Sequence, residues 1–360
     1  MFGINRMLYI TEKTMNLMKS ICSPFCGATF LLLTLVACTG NDVPVPETDL
    51  QIRWSVQSGN IQNRRALIEN SANLQAACSD GGQAIGIWSA YQKDGEDLTE
   101  QILGTTGDAS LTYDETGESW TYGDKPAYWQ RDAVYYFNAY FPKEGGMTDI
   151  SHTKTSIAGT YDTETTQTDL MVSRVIVDTG NNFQGQPVEL SMLHTLATLK
   201  FIFLMDGGDA SMVLKAFSLD KTLKTSASLN YNTNSVSIAN WTNGTLSDNS
   251  RIYEWASNEG IEFTAITGAV PYTTGDGIYR NNGGHILIIP QECTVAPTFN
   301  CIIGGNSSEN ESYQNISLGT TKFEPGKNYI YTIKLKQNVV DVDLSIAAWN
   351  ELNSSFNIPL

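Results

Sequence analysis

One cysteine, three histidines and a group of indole rings carry most of the chemistry available to this sequence. Leu35-Val36-Ala37-Cys38 closes an apolar run that begins near Phe25, with Lys19 ahead of it and Phe30 to Leu33 as its most hydrophobic part. A positive segment, an apolar stretch too short to span a bilayer and a small residue before a cysteine together make an export signal. In such a signal the thiol is acylated and becomes the mature N-terminus. Cys38 is therefore the expected lipidation site, residues 1–37 the cleaved signal peptide, and Met1 and Met18 both fit as its start.

Catalytic chemistry finds little support. His152, His194 and His285 are the three histidines, and none stands beside a serine or cysteine motif. His194 in SMLHTLATLKF reads as packed within a strand pair, His152 as part of a polar loop and His285 as the start of a strand. GxSxG, HExxH and Walker patterns are absent. Acidic residues are numerous, but their spacing selects no glycosidase-type pair. No catalytic residue, metal or cofactor is expected, and the chain reads as a non-enzyme. Beyond the signal, Cys78, Cys293 and Cys301 remain, with no metal-ligand spacing. Cys293 and Cys301 flank Val295-Ala296-Pro297, which leaves open a disulfide across that turn or three buried free thiols.

The 360 residues hold 22 basic and 38 acidic side chains. Losing residues 1–37 removes Arg6, Lys13, Lys19 and Glu12, which leaves 19 basic and 37 acidic residues and a net charge of −18. Such a surface repels phosphate backbones and anionic headgroups, so neither nucleic acid nor electrostatic adsorption to a membrane is expected. About 320 residues remain, more than one sandwich core usually holds.

These groups must be positioned mainly by strands. Leu50, Ile52, Trp54 and Val56 alternate with polar residues, a period of two that buries one face. Further strands are expected at 84–90, 133–141, 188–192, 196–204, 213–219, 261–266, 285–289, 299–303, 328–335 and 339–346, with one short helix over 65–77. Short strands between Gly, Asn and Asp turns indicate an all-β chain of antiparallel sandwiches. Residues 38–49 form a polar tether. The polar stretch Asp178 to Gln186 suggests a division into domains 50–183 and 184–360.

Two surface features follow from that layout. Trp120, Tyr122 and Trp129 offer a ring platform for a glycan, which would make the chain a monomeric surface glycan-binding lipoprotein. At the other end Val340, Val342, Leu344 and Ile346 alternate with polar residues, giving a strand as amphipathic as the first. Both read either as detachable strands or simply as the first and last strands of their domains.

Several segments, in this order, resemble the fimbrillin family, the lipoprotein-derived pilus subunits of anaerobic, outer-membrane-bearing bacteria. They are the lipobox at Cys38, YYFNAYFP at 135–142, TDLMVS at 168–173, VELSMLHTLATLKFIF at 188–203, ILIIPQ at 286–291 and YIYTIKLKQNVVDVDLSIAAW at 329–349. The resemblance implies two transthyretin-like, Greek-key β-sandwich domains and a lipid anchor in the outer membrane. It also implies an arginine-directed cut after the first strand, followed by polymerisation into a surface fimbria that serves adhesion. The displaced strand would carry Leu50, Ile52, Trp54 and Val56, and the donor strand Val340, Val342, Leu344 and Ile346. Arg64 and Arg65 follow the polar loop SGNIQN and suit the cut, unless they are two solvated residues at a helix start. Arg53 lies inside the strand and suits it less. The implied partners are other pilus subunits, whether stalk, tip or anchor, and an adhesion target.

Overall fold

The computed structural model describes residues 50–349, apart from 59–67, 69, 80, 104–106, 124, 181–182, 184, 206–212, 263–271, 274–284, 306–309 and 337–338. In chain order the strands are β1 (Trp54–Ser58), β2 (Ile85–Lys93), β3 (Thr99–Glu100), β4 (Ala109–Asp114), β5 (Ser119–Tyr122), β6 (Ala133–Phe141), β7 (Thr148–Thr153) and β8 (Ser156–Asp162). They continue with β9 (Met171–Asp178), β10 (Val188–His194), β11 (Ala197–Met205), β12 (Val213–Asp220), β13 (Lys224–Tyr231), β14 (Trp241–Leu246), β15 (Arg251–Glu262) and β16 (Tyr272–Thr273). The last are β17 (His285–Ile288), β18 (Gln291–Glu292), β19 (Thr298–Gly304), β20 (Glu311–Ser317), β21 (Lys322–Phe323), β22 (Lys327–Lys336) and β23 (Val339–Ala348).

One helix, α1 (Ser71–Ala77), begins where the Asn70 side chain accepts the Asn73 N–H at 2.7 Å. That cap starts the helix six residues later than the expected Arg65. The chain is all β apart from such short turns.

The largest sheet runs β1-β10-β9-β6-β2-β4-β5, with β3 against β2. It curls until its edges meet: the Tyr122 hydroxyl on β5 donates to the Ile52 carbonyl at 3.3 Å. The Ile52 and Trp129 amides bond the Ala127 and Leu50 carbonyls at 2.9 and 2.8 Å. Ile52, Trp54, Leu111, Trp129, Phe137 and Leu190 lie in the core so enclosed.

A four-stranded sheet, β14-β13-β8-β7, shares a middle core with Tyr140, Leu170, Val172 and Leu196. Phe137 to Phe141 on β6 are therefore all buried. Both faces of that strand are covered, and the usual alternation disappears. Gly86 on β2 makes room there, since a Cβ would lie 2.3 Å from the Tyr140 ring. In the third core β11, β17, β22 and β23 face β12, β15, β19 and β20 around Phe201, Phe217, Phe299 and Tyr331.

The strands anticipated from apolar alternation are present within a few residues, except that 261–266 proves to be the end of β15, Arg251–Glu262, with 263–266 outside the described residues. The strands not anticipated are β3, β4, β5, β7, β8, β9, β13, β14, β16, β18, β20 and β21, and among them β7, β13, β14 and β20 are rich in Ser, Thr and Asn. Solvent on one face removes the need for apolar residues there. His152, expected in a loop, lies on β7. The stretch 178–186 joins β9 to β10, which are neighbours in one sheet, and β8 pairs with β13, so strand pairing runs across 183/184.

His285 opens β17 opposite Lys200 and is buried. Burial, then the Lys200 charge, pull its pKa down to about 3 against a hydrogen bond with Asn328 that raises it. The unfolded imidazole titrates near ~6.5, so below that pH the unfolded chain holds a proton that the folded chain refuses. This contribution to stability is intact above ~6.5 and declines as pH falls toward about 3, by up to ~1.4 kcal/mol per pH unit. Denaturant melts across that window should show the decline, and His285→Gln should flatten it.

Candidate assembly site at the chain ends

β1 lies at a sheet edge in parallel register with β10, from Trp54 opposite Val188 to Ser58 opposite Met192. The Val188 amide extends the ladder to the Arg53 carbonyl at 2.7 Å. Alternation then drives Ile52, Trp54 and Val56 inward, to 1%, 8% and 6% exposure, while Leu50 is half-buried. The Trp54 indole packs edge-on against Phe137 at 5.2 Å and Tyr122 at 6.0 Å between ring centres. β1 thus acts as a plug whose one strand neighbour, among the described residues, is β10.

Arg53 sits between two buried residues, with its guanidinium 3.3 Å from the Gly185 carbonyl. A protease would have to pull Ile52 and Trp54 out of the core to reach that peptide bond. Arg64, Arg65 and the lipidation candidate Cys38 lie outside the described residues.

β23 occupies the edge of the third sandwich and pairs with β22 over ten residues, from Lys336 opposite Val339 to Lys327 opposite Ala348. Val340, Val342 and Leu344 are half-buried against the third core, and Ile346 is 54% exposed. The Lys334–Asp343 ion pair, 2.9 Å apart, is exposed and adds little. The expected alternation is therefore real, and its apolar face is only partly covered.

The proposed ring platform is overturned. Trp120, Tyr122 and Trp129 are 9%, 7% and 4% exposed and belong to the first core. Trp129 meets Tyr135, Phe137 and Phe183 edge-on, and burial, opposed by a hydrogen bond to Ala127, raises the Tyr122 pKa. Aromatic clustering in this chain marks packing, since the rings close a curled sheet.

Cys78, Cys293 and Cys301 are all free thiols, which settles the open choice at Cys293 and Cys301 against a disulfide. Burial pushes the Cys78 and Cys301 thiols up to about 12, so they stay protonated and unreactive.

Two histidine–aspartate pairs escaped the sequence reading, because nothing local signals partners 44 or 25 residues apart. His152 Nε2 lies 3.0 Å from Asp108, with its ring stacked on Trp88 at 5.7 Å. Burial would raise the Asp108 pKa, but His152, the Tyr140 hydroxyl at 2.8 Å and Lys143 outweigh it and hold the carboxyl below its ordinary value. The second pair, His194 and Asp169, is 3.0 Å apart, and Trp349 stacks on the imidazole with ring centres at 4.5 Å. No group of three metal-ligating side chains occurs among the described residues.

These features define an all-β protein of layered sheets whose first and last strands both lie at sheet edges. A family model described as fimbrillin-like matches residues 70–349, and the chain belongs to that family. A crystal structure of a fimbrial protein from Bacteroides vulgatus shares 16% identity and a TM-score of 0.55, covering 83% of this chain and 99% of that one, and so has the same fold. A fimbrial assembly protein from Parabacteroides distasonis is a looser likeness, at 12% identity and a TM-score of 0.32 over 83% and 99% of the two chains. No curated protein sequence matches the chain.

Trp54→Ala and Trp129→Ala should each lower the unfolding free energy by about 3–5 kcal/mol in denaturant melts. Tyr128→Ala, at a ring that is 47% exposed, should change it by less than about 0.5 kcal/mol.

Proposed function

We propose that this chain is a structural subunit of a surface pilus that serves adhesion, exported as a lipoprotein through Cys38 and polymerised by protease-triggered strand exchange. The observation that carries this reading is β1, a short edge strand that plugs the first core of a fimbrillin-like fold with Ile52, Trp54 and Val56. Burying three large side chains at about 1.5–3 kcal/mol each contributes roughly 5–9 kcal/mol, an upper bound because the unfolded chain is itself partly collapsed.

Cleavage at Arg64 or Arg65 would cut the covalent link between that plug and the rest of the fold. Once β1 departs, the β10 edge and the rings of Tyr122 and Phe137 need a new partner. An amphipathic strand from a neighbouring subunit, with β23 as the candidate, meets that need by β-strand addition. Such a head-to-tail contact does not close on itself, so it extends into a fibre. Other pilus subunits are then the partners, and the cell surface is the site of action.

Limited trypsin treatment of the unlipidated chain, with N-terminal sequencing and sizing, tests the reading. Cleavage at Arg64 or Arg65 should be followed by SDS-resistant ladders, and Leu344→Asp should abolish them. A cut chain that stays monomeric at high concentration would refute the strand-exchange role.

A further inference from the structure

Three segments far apart in sequence meet where the last strand ends. Asp169 is fully buried, and its carboxylate holds His194 Nδ1 at 3.0 Å while also accepting the Ile68 amide at 3.2 Å. Those contacts fix the imidazole plane. Trp349 lies on that plane, 11° from parallel, and is 1% exposed. Its amide donates to the Gly326 carbonyl at 3.0 Å, and its side chain joins the middle core that contains Leu196 and Leu287.

The contrast with the strand that leads into it is large. Along β23 the inward side chains are half-buried and Ile346 is mostly exposed, so the strand's own packing holds it weakly. Trp349 is among the largest fully buried side chains described, and it follows β23 directly. Most of the fully buried apolar surface at this end of the chain therefore sits in one ring.

We propose that Trp349 is a latch that keeps β23 on its own subunit, and that the Asp169–His194 pair is the built seat for that ring. The assignment of a role in assembly rests on the pilus reading, whereas the latch itself is a property of the folded monomer. His194 Nε2 and Trp349 Nε1 are both buried without a hydrogen-bond partner among the described residues. The indole N–H thus adds nothing to the seat beyond packing, and its removal should not loosen the contact.

Amide hydrogen exchange on the full unlipidated chain, followed over residues 340–348, tests the latch directly. Trp349→Ala should accelerate exchange there by at least about tenfold while β2 and β6 keep their native protection. His194→Ala should do the same and carries the test should the tryptophan variant fold poorly. Trp349→Phe, which keeps a stacking ring and removes the buried indole N–H, should leave β23 protected at or above the native level.

Native exchange in β23 for both Trp349→Ala and His194→Ala, with β2 and β6 intact, would overturn the proposal. Trypsin-triggered ladder formation separates the two readings. Faster exchange without ladders refutes the pilus role and leaves the latch standing; ladders with native exchange in both variants refute the latch alone.

Discussion

A sheet edge carries unpaired peptide groups, and when its flank is apolar it must be covered by something strand-like. The first core of this protein is organised around that constraint. β10 presents the Val188–Met192 ladder and the core presents Tyr122 and Phe137, and the short parallel strand β1 answers both at once. Parallel pairing between strands so far apart in sequence is slow to form and has no hairpin to guide it. Its register is fixed instead by where the Trp54 indole fits. A slip of one residue would turn Trp54 outward and drive Arg53 and Ser55 into the core.

The middle layer ties the remaining parts together. β6 is buried on both faces, β8 and β13 pair across the stretch 178–186, and Asp169 binds both the Ile68 amide and the His194 ring beneath Trp349. One buried carboxyl group thus holds the backbone ahead of α1 and the imidazole on which Trp349 stacks. Such a polar group is tolerable in the interior because a histidine and a backbone amide surround it.

The sequence discloses the most apolar and most regularly alternating strands. Apolar alternation in Leu50 to Val56 and Val340 to Ile346, and the continuous run of β6, set their positions to within a few residues. It was silent on β4, β5, β8 and β9, and on β7, β13, β14 and β20, whose outer faces are wet. The indoles misled for a related reason: Trp120 and Trp129 lie in turn-rich sequence, and only closure of the curled sheet turns them inward. Of the candidate assembly site, the two end strands were legible. The Asp169–His194–Trp349 contact was not, because it joins the β9–β10 pair of one sheet to the residue that follows β23 in another.

The antiparallel hairpin of β22 and β23 also sets a direction for mechanical failure. β23 is joined to β22 at its Lys336/Val339 end, so the far end is the one that carries Ala348 and leads into Trp349. A strand tethered in this way peels like a strip of tape, one hydrogen-bonded pair after another, beginning at that far end once Trp349 is released. β1, pulled along its own axis from its N-terminal side, would instead resist in shear, with its whole short ladder strained together. The two ends of the same subunit therefore differ in kind under tension: one yields gradually from a guarded tip, and the other holds until it gives way all at once.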